Sequence, residues 1–476
     1  MIVMVGLGAF GLSKMLDSSV QDKHELSKEK TRTSLLEAKE ALLSYAVEFL
    51  AENDMGTMAR LPCPDVSNSW NFEGSQDPTC GDKGANSLGL FPFKTVGLGK
   101  LEDGNGQCLW YAVSGSYKNS PDMDLVNWDT NGMLTVEDEN GNLKHSSDPS
   151  EYPVAVLIAP GAVLSGQNRT PDAALPLCAG NYNRSNYLES GSNLDYSAYT
   201  SDDVGNVWSF LDASLSSSLE NPDSNDQIVY ITRKELWDRI KKTRQLATDS
   251  ASTSPIKDLT NQLAECLVEY GDETPANRKM IFAGKLVLPD YEDKSNYKDK
   301  AGRLFGRFPQ DIRESNHLYS PMKLTHTSEK QFVASSAANG FCETKTGLDG
   351  SLWGNWKDHF FVVVAKDFAP DSTIPFSNRC TSFPGSNCLS INGRTNVAAI
   401  IFFAKERSGS QNRDLSSYTN DDSVLDQMGV WNEYLNGAAN QHAYDGTAAT
   451  NTYGLDPDDY AVCVIKNATG LSVVEC

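Results

Sequence analysis

Long hydrophobic runs are missing from this sequence. The most apolar stretch, MIVMVGLGAFGLS, ends at Ser13, ahead of Lys14, short of the roughly 18 to 20 residues that span a bilayer as a helix. It also lacks the basic n-region and the A-x-A cleavage site of a secretory signal peptide. Positive charge is scarce: 41 Lys and Arg stand against 63 Asp and Glu, a formal net charge of −22. With no basic patches to neutralise phosphates, nucleic acid is excluded as a main partner. The longest basic cluster, Arg239, Lys241, Lys242 and Arg244, falls in a predicted helix and reads as a solvated face. There is no C-x-x-C and no Cys/His ligand set, which argues against metal–thiolate chemistry. The six histidines (24, 145, 317, 326, 359 and 442) form no H-E-x-x-H and no close pair. His359, abutting an aromatic strand, reads as a residue at the edge of a core rather than a base. P-loop and G-x-S-x-G motifs are absent, and the S-x-x-K at Ser295–Lys298 has none of its companion motifs. Together these absences point away from an enzyme.

What is present begins with Gly6, Gly8 and Gly11, spaced G-x-G-x-x-G. That is the dinucleotide-binding fingerprint when it joins a strand to a helix and a second strand follows within about 30 residues. No second apolar strand follows. Polar and charged residues dominate from Asp17 to Ser34, and then Leu35, Leu42 and Phe49 recur seven apart, with Ala38, Tyr45 and Ala46 in the same stripe. This spacing predicts one amphipathic helix from Thr33 to Asn53. A dinucleotide-dependent oxidoreductase is therefore the reading that the context argues against. The opening stretch is better read as the second half of a membrane helix, where Gly is common and small residues let neighbouring helices approach.

Ten cysteines stand at 63, 80, 108, 178, 266, 342, 380, 388, 463 and 476. The even count, in a chain rich in Asn, Asp, Ser, Gly and Thr between short apolar runs, indicates disulfides and an oxidising compartment. Two pairings are legible locally. YAVCVIKNATGLSVVEC reads as strand, turn, strand, and folding near Thr469 and Gly470 sets Cys463 opposite Cys476, within disulfide reach. Cys380 and Cys388 close a small loop around FPGSN.

The chain repeats its own order of elements. An amphipathic helix (LLSYAVEF at 42–49, LAECLVEY at 263–270) precedes a Leu-Pro step (RLPCPD at 60–65, LVLPDY at 286–291). An aromatic strand follows (LWYAVSGSY at 109–117, FFVVVAKDF at 360–368). An apolar strand then runs into a polar turn, VAVLIAPGAVLSGQNR ending at Arg169 and AAIIFFAKERSGSQNR ending at Arg413. Each half closes with a further strand, IVYI at 228–231 and AVCVI at 461–465. Between these the second half carries a predicted helix, VLDQMGVWNEYLNGA at 424–438, and WSFLDASLSSSL at 208–219 is its expected counterpart. The pattern predicts an α+β fold with a tandem duplication: an N-terminal hydrophobic and amphipathic helix at 1–57, a first module at 58–247 and a second, divergent module at 248–476. TDSASTSP at 248–255 reads as the linker.

An apolar N-terminus continuing into a long amphipathic helix, then a disulfide-containing antiparallel sheet, resembles the plan of the type IV pilin and type II secretion pseudopilin superfamily. RLPCPD, the following GLFPFKTVGL and DGNGQCLWYAVS are similar to segments of large pilin-like proteins of Gram-negative bacteria. The first half carries the resemblance from Leu35 to Arg239 and the second half as a divergent copy. Pilins begin with a basic leader, a peptidase site after Gly and a Glu near the start of the mature chain, and these are not found here. The resemblance implies a non-enzymatic minor pilin or pseudopilin of a type IV pilus or type II secretion filament. Its partners would be other pilins, met through the N-terminal helix. Its locations would be the inner membrane and periplasm, then a filament at the cell surface. A double-sized head suggests a tip position.

Three polar features are candidate sites. The repeated GQNR (Gly166–Arg169) and SQNR (Ser410–Arg413) read as loop-fixing elements after a core strand, although Gln, Asn and Arg also suit carboxylates or sugars. NWDTNGMLTVED places Asn127, Asp129, Asn131 and Asp138 at alternating positions of a calcium-loop pattern. The flanking helices of that motif are not predicted; the resemblance keeps calcium as an expected cofactor, since pseudopilins include calcium-binding members. The acidic clusters Asp421–Asp422 and Asp456, Asp458, Asp459 are similarly ambiguous. Finally, the Asn-, Ser- and Tyr-rich NYNRSNYLESGSNLDYSAYTSDD suits a surface adhesin's binding loop as the alternative function.

Overall fold

The computed structural model describes residues 23, 25–47, 59–66, 73–123, 125–138, 140–171, 175, 177–189, 204–212, 224–244, 254–272, 278–312, 315, 322–323, 350–381, 387–407, 411, 413, 415–419, 423–435, 452–453 and 460–476. The chain divides into two compact units. One comprises residues up to Glu52, Met58–Met123 and Thr130–Ile240; the other takes in Asp124–Asp129 and runs from Lys241 to Cys476. The expected boundaries were 57/58 and 247/248. The N-terminal helix counts with the first unit, and a short internal segment belongs with the second.

In the first unit, helix α1 (25–47) starts earlier than the apolar stripe predicts. Its first turns are held by polar contacts. The Gly104 N–H donates to Thr31 Oγ1 (2.9 Å), and Ser34 Oγ donates to the Glu102 carbonyl (2.7 Å). Further along, Leu35, Ala38, Leu42, Leu43, Ala46 and Val47 are buried as the stripe requires. Six strands follow: β1 (Ser87–Leu90), β2 (Trp110–Val113), β3 (Leu134–Glu137), β4 (Pro153–Ala159), β5 (Trp208–Leu211) and β6 (Gln227–Thr232). Four of them form an antiparallel sheet in the order β1-β2-β4-β6, while β3 and β5 pair in parallel. One face of the sheet (Leu88, Leu90, Trp110, Ala112, Val156, Ile158, Ile228) packs with Leu134 and Val136 of β3 and with Trp208 and Phe210 of β5. WSFL is thus a strand and not the start of a helix. Trp208 and Phe210 are buried while Ser209 and Leu211 are half-buried, the two-residue period of a pleated surface. Helix α2 (Arg233–Arg244) follows β6 directly and meets α1 through Lys39–Glu235 (2.8 Å) and Arg239–Glu40 (2.6 Å). Arg239, from the basic cluster, is therefore ion-paired.

The second unit opens with α3 (Pro255–Asp272), whose Pro occupies the first helical position, where a missing N–H costs nothing. It buries Leu259, Leu263, Leu267 and Tyr270. Next come β7 (Phe305–Arg307), β8 (Asp311–Ile312), β9 (Met322–Lys323), α4 (Gly350–Trp356), β10 (Phe360–Val364), β11 (Leu389–Ile391), β12 (Arg394–Phe403), α5 (Val424–Tyr434), β13 (Thr452–Tyr453), β14 (Tyr460–Lys466) and β15 (Leu471–Glu475). β12 is the spine of the sheet. β10 and β11 pair along one side of it and β14 along the other, all antiparallel; β7 extends the sheet beyond β10 and β15 beyond β14. β11 and β13 make a short parallel pair. Helix α3 packs over β12, β14 and β15. The fold is thus α+β with mainly antiparallel sheets.

Candidate functional site

The repeated Q-x-R turn does the same mechanical work in each unit. In the first, Arg169 donates to the carbonyls of Asn186 (2.7 Å) and Gly161 (2.8 Å) and to Gln167 Oε1 (2.6 Å), and its guanidinium lies 4.7 Å from the centre of the Tyr187 ring. In the second, Arg413 donates to the carbonyls of Glu433 (2.8 Å) and Tyr434 (3.4 Å) and to Gln411 Oε1 (3.3 Å), and lies 4.6 Å from the Tyr434 ring. A planar fork that stacks and bonds at once is a property of arginine and not of lysine. Both turns fix the loop after a central strand, β4 or β12, onto a segment that precedes β6 or β14.

Arg413 also enters a buried ionic network in the second unit. Its NH1 donates to Asp129 Oδ2, which lies 2.7 Å from His359 Nε2. The other ring nitrogen, Nδ1, is 3.0 Å from Asp358 Oδ1. Trp128 Nε1 and Arg413 NH1 also approach Nε2, at 3.0 and 3.2 Å. Those donors would need a lone pair on Nε2, but a carboxylate at each ring nitrogen favours the doubly protonated imidazolium. Burial disfavours charge on His359, yet the two carboxylates outweigh it and raise its pKa. Burial likewise opposes charge on Asp129 and Asp358. Arg413 and His359 hold the first below the usual carboxylate range, and His359, Arg307 and Lys357 the second. Around this centre, the Val126 N–H donates to Asn355 Oδ1 (3.0 Å), and Asn127 Nδ2 donates to the Asn355 carbonyl (2.9 Å) and to Asp358 (3.0 Å). Trp128 packs on Trp356 (4.5 Å) and Phe403 (5.7 Å).

The network is closed to substrates. The side chains of His359, Arg413, Asp358 and Asp129 are 0, 2, 6 and 7 % exposed. It is a clasp that holds Val126–Asp129 in the core of the second unit. His359 is fully inside that core, deeper than the edge position expected for it.

Of the four calcium-loop residues, Asn127 and Asp129 stand in this clasp. Asp138 instead accepts the Asn140 and Asn142 N–H groups (2.8 and 2.9 Å) in its own turn, and the Asn131 carbonyl accepts from Ser116 (2.8 Å). Among the described residues no three His, Cys, Asp or Glu side chains cluster to hold a metal. Gly6, Gly8 and Gly11, Asp421–Asp422, and Asp456 with Asp458–Asp459 lie outside the described residues.

The described cysteines are paired. Sulfur–sulfur bonds join Cys380 to Cys388 and Cys463 to Cys476, and likewise Cys63 to Cys80 and Cys108 to Cys178. Cys266 is disulfide-bonded too, and no described cysteine is free. Cys463 does not face Cys476 directly. It faces Val474, and Cys476 donates its N–H to the Ala461 carbonyl (3.2 Å), so the bridge runs diagonally across the hairpin. The turn is shifted because Asn467 Oδ1 accepts the N–H groups of both Thr469 and Gly470 (3.0 and 2.7 Å).

The Leu-Pro segment of the first unit holds a site that sequence reasoning missed. Asp65 accepts from the Gly74 N–H (2.8 Å) and the Tyr182 hydroxyl (2.9 Å). Burial pushes its pKa up to about 6; these two hydrogen bonds oppose the shift, while the nearby Asp77 and Glu73 add to it. Its partners are scattered along the chain, so no spacing signals them. Asp358, Asn355 and Tyr434 of the clasp were missed for the same reason.

Comparison of the chain with protein-family models, with curated proteins and with solved structures finds no match.

Proposed function

We propose that the chain is a non-enzymatic, pilin-like subunit of a type IV pilus or type II secretion filament, built of two tandem copies of one module. One observation carries this reading. In each unit a helix accompanies a run of antiparallel strands with the same order, β1-β2-β4-β6 and β7-β10-β12-β14, and the third strand leads into the same Gln-x-Arg clasp on a tyrosine. Setting Arg169 on Arg413 puts Ala159 on Phe403. The two registers then bring Cys108, next to β2, to the place of His359, next to β10. In the first unit that position is tied covalently to Cys178, and in the second it is tied ionically to Asp129.

The chain's N-terminal helix would join the helices of other pilins, and the two disulfide-braced units would form an enlarged head suited to a tip. No described helix is long and apolar enough to cross a membrane, and the opening apolar stretch lies outside the described residues. The test is location. Filaments sheared from cells should carry this chain at one end by immunogold labelling, and deleting the gene should reduce filament number. Labelling at regular intervals along the shaft overturns the tip assignment. Normal filaments with no label overturn the class.

A further inference from the structure

Arg169 feels the charge of three carboxyls in the first unit, Asp103, Glu189 and Asp226, while its own N–H groups are directed to three carbonyls and to Gln167. Asp103 is well supplied with donors. It accepts the N–H groups of Asn105, Gln107 and Gly161 (2.7, 2.9 and 2.9 Å). Glu189 is equally well supplied. Gln167 Nε2 donates to its Oε1 (2.8 Å), and the N–H groups of Asn225 and Asp226 donate to its Oε2 (2.9 and 3.2 Å). Asp226 is not. Its Oδ2 accepts the Glu189 N–H (3.1 Å), but among the described residues its buried Oδ1 has no hydrogen-bond donor, in a residue 1 % exposed.

A buried carboxylate oxygen without a donor is costly. The Asp226 and Glu189 carboxyls also lie within hydrogen-bond distance of each other, and two carboxylates in contact disfavour ionising together. A proton on Asp226 Oδ1 answers both problems. It removes one of the two charges, and it turns the orphaned oxygen into a donor for Glu189. The pair joins separate stretches of chain. Glu189 closes the segment after Tyr187, Asn225 and Asp226 lead into β6, and Asn225 Nδ2 donates to the Ala162 carbonyl (2.8 Å) in the loop after β4.

We propose that Asp226 and Glu189 share one proton, held on Asp226, and that this proton latches the chain entering β6 to the loops at 160–169 and 183–189, so that the latch is closed in acid and loosens as pH rises. Burial raises both carboxyls above their ordinary 3.8 and 4.5. The facing charge of Glu189 raises Asp226 further, and Arg169 opposes the shift in both. The folded pair therefore binds its proton more tightly than the open chain does. The contribution is complete below the ordinary carboxylate range and is lost as pH rises through the raised value. The other groups facing the pair are Arg169, which stays charged throughout, and beyond it Asp103 and the Tyr187 ring. Burial raises Asp103 as well, so the test must separate it from Asp226. All these residues belong to the first unit, and the latch does not require the chain to be a filament subunit.

Two measurements on the full chain test it. In the carbon-13 spectrum of aspartate-labelled protein, the Asp226 carboxyl is identified by its loss in Asp226→Asn. It is expected to be still protonated at about pH 5, where an ordinary aspartate is ionised. Hydrogen exchange then follows the peptide carrying Asn225 and Asp226, relative to the buried strand β4. Its protection is expected to fall by up to about tenfold per pH unit until the raised value is passed, and to be level beyond. Asp226→Asn sets a permanent donor in the proton's place and is expected to keep protection constant with pH. Glu189→Gln faces an amide to N–H groups that need an acceptor, and is expected to lower protection at every pH. An Asp226 carboxyl already ionised at about pH 5 overturns the proposal. So does wild-type protection that is independent of pH, or a pH dependence that survives Asp226→Asn. Constant protection in Glu189→Gln with loss in Asp226→Asn would put the proton on Glu189, and overturns its assignment to Asp226.

Discussion

His359 Nε2 lies 2.7 Å from Asp129 Oδ2, joining residues 230 positions apart in the sequence inside one core. Each side chain depends on the other for its charge. Removing one partner takes away one of the other's two charged neighbours, Asp129 keeping Arg413 and His359 keeping Asp358; a buried charge left wholly unpaired costs about 3–5 kcal/mol, which is the upper bound here. Asp129→Asn and His359→Gln are each expected to lower the stability of the second unit by less than that bound, measured by denaturant unfolding. The double variant should cost less than the two singles added.

The same network fixes a pH window. The raised value of His359 gives stability that is complete below its ordinary 6.5 and is lost as pH rises through the raised value. The lowered values of Asp129 and Asp358 give stability that is complete above their ordinary 3.8 and is lost as pH falls through the lowered ones. The second unit is therefore expected to be most stable from about pH 4 to 6.5, and calorimetry across pH checks it.

Asp65 acts in the opposite sense. Its carboxyl rises from 3.8 to about 6, so the folded first unit holds that proton more tightly than the unfolded chain. Its contribution is greatest below pH 3.8, falls as pH climbs to about 6, and is constant beyond. Asp65→Asn should flatten the stability of the first unit across that interval. A slope that survives the substitution would place the titration elsewhere.

The disulfides should differ in worth according to the loop each closes. Cys380–Cys388 spans 8 residues, Cys463–Cys476 spans 13 and Cys108–Cys178 spans 70. Chain entropy then gives about 2.5, about 2.9 and about 4.4 kcal/mol. Paired Cys→Ser variants are expected to lose stability in that order on chemical unfolding.

Arg169→Lys and Arg413→Lys test the two clasps against each other. Lysine keeps the charge but cannot fork between carbonyl, glutamine and ring. Both should destabilise their own unit by about 1–3 kcal/mol. The second should cost more, because Arg413 also neutralises buried Asp129. Equal losses would mean that the Asp129 contact adds nothing.

Gly306→Ala probes a backbone approach in the second unit. A Cβ there would stand 1.9 Å from the Gly284 carbonyl oxygen, which is main chain and cannot swing aside. The strand must shift, at a cost of about 3 kcal/mol. A melting temperature unchanged by the substitution would be incompatible with this packing.

The sequence by itself determined the elements that answer to local periodicity. The stripe of Leu35, Leu42 and its neighbours specified a helix, and the apolar runs beginning at Val154 and Ala398 specified strands. The short spacings of Cys380–Cys388 and Cys463–Cys476 specified bridges, because a loop of few residues admits few partners. The duplicated Gln-x-Arg turn was visible as a repeat. Only the tertiary structure decided the rest. That Asp129 enters a buried clasp depends on His359 and Arg413, and that WSFL is a strand depends on a partner at Leu134–Glu137. That α1 begins at 25 depends on the Glu102–Gly104 loop receiving Thr31 and Ser34. Each of these is settled by a residue far along the chain, and a linear pattern carries information about what a segment can bury but not about which distant group will meet it.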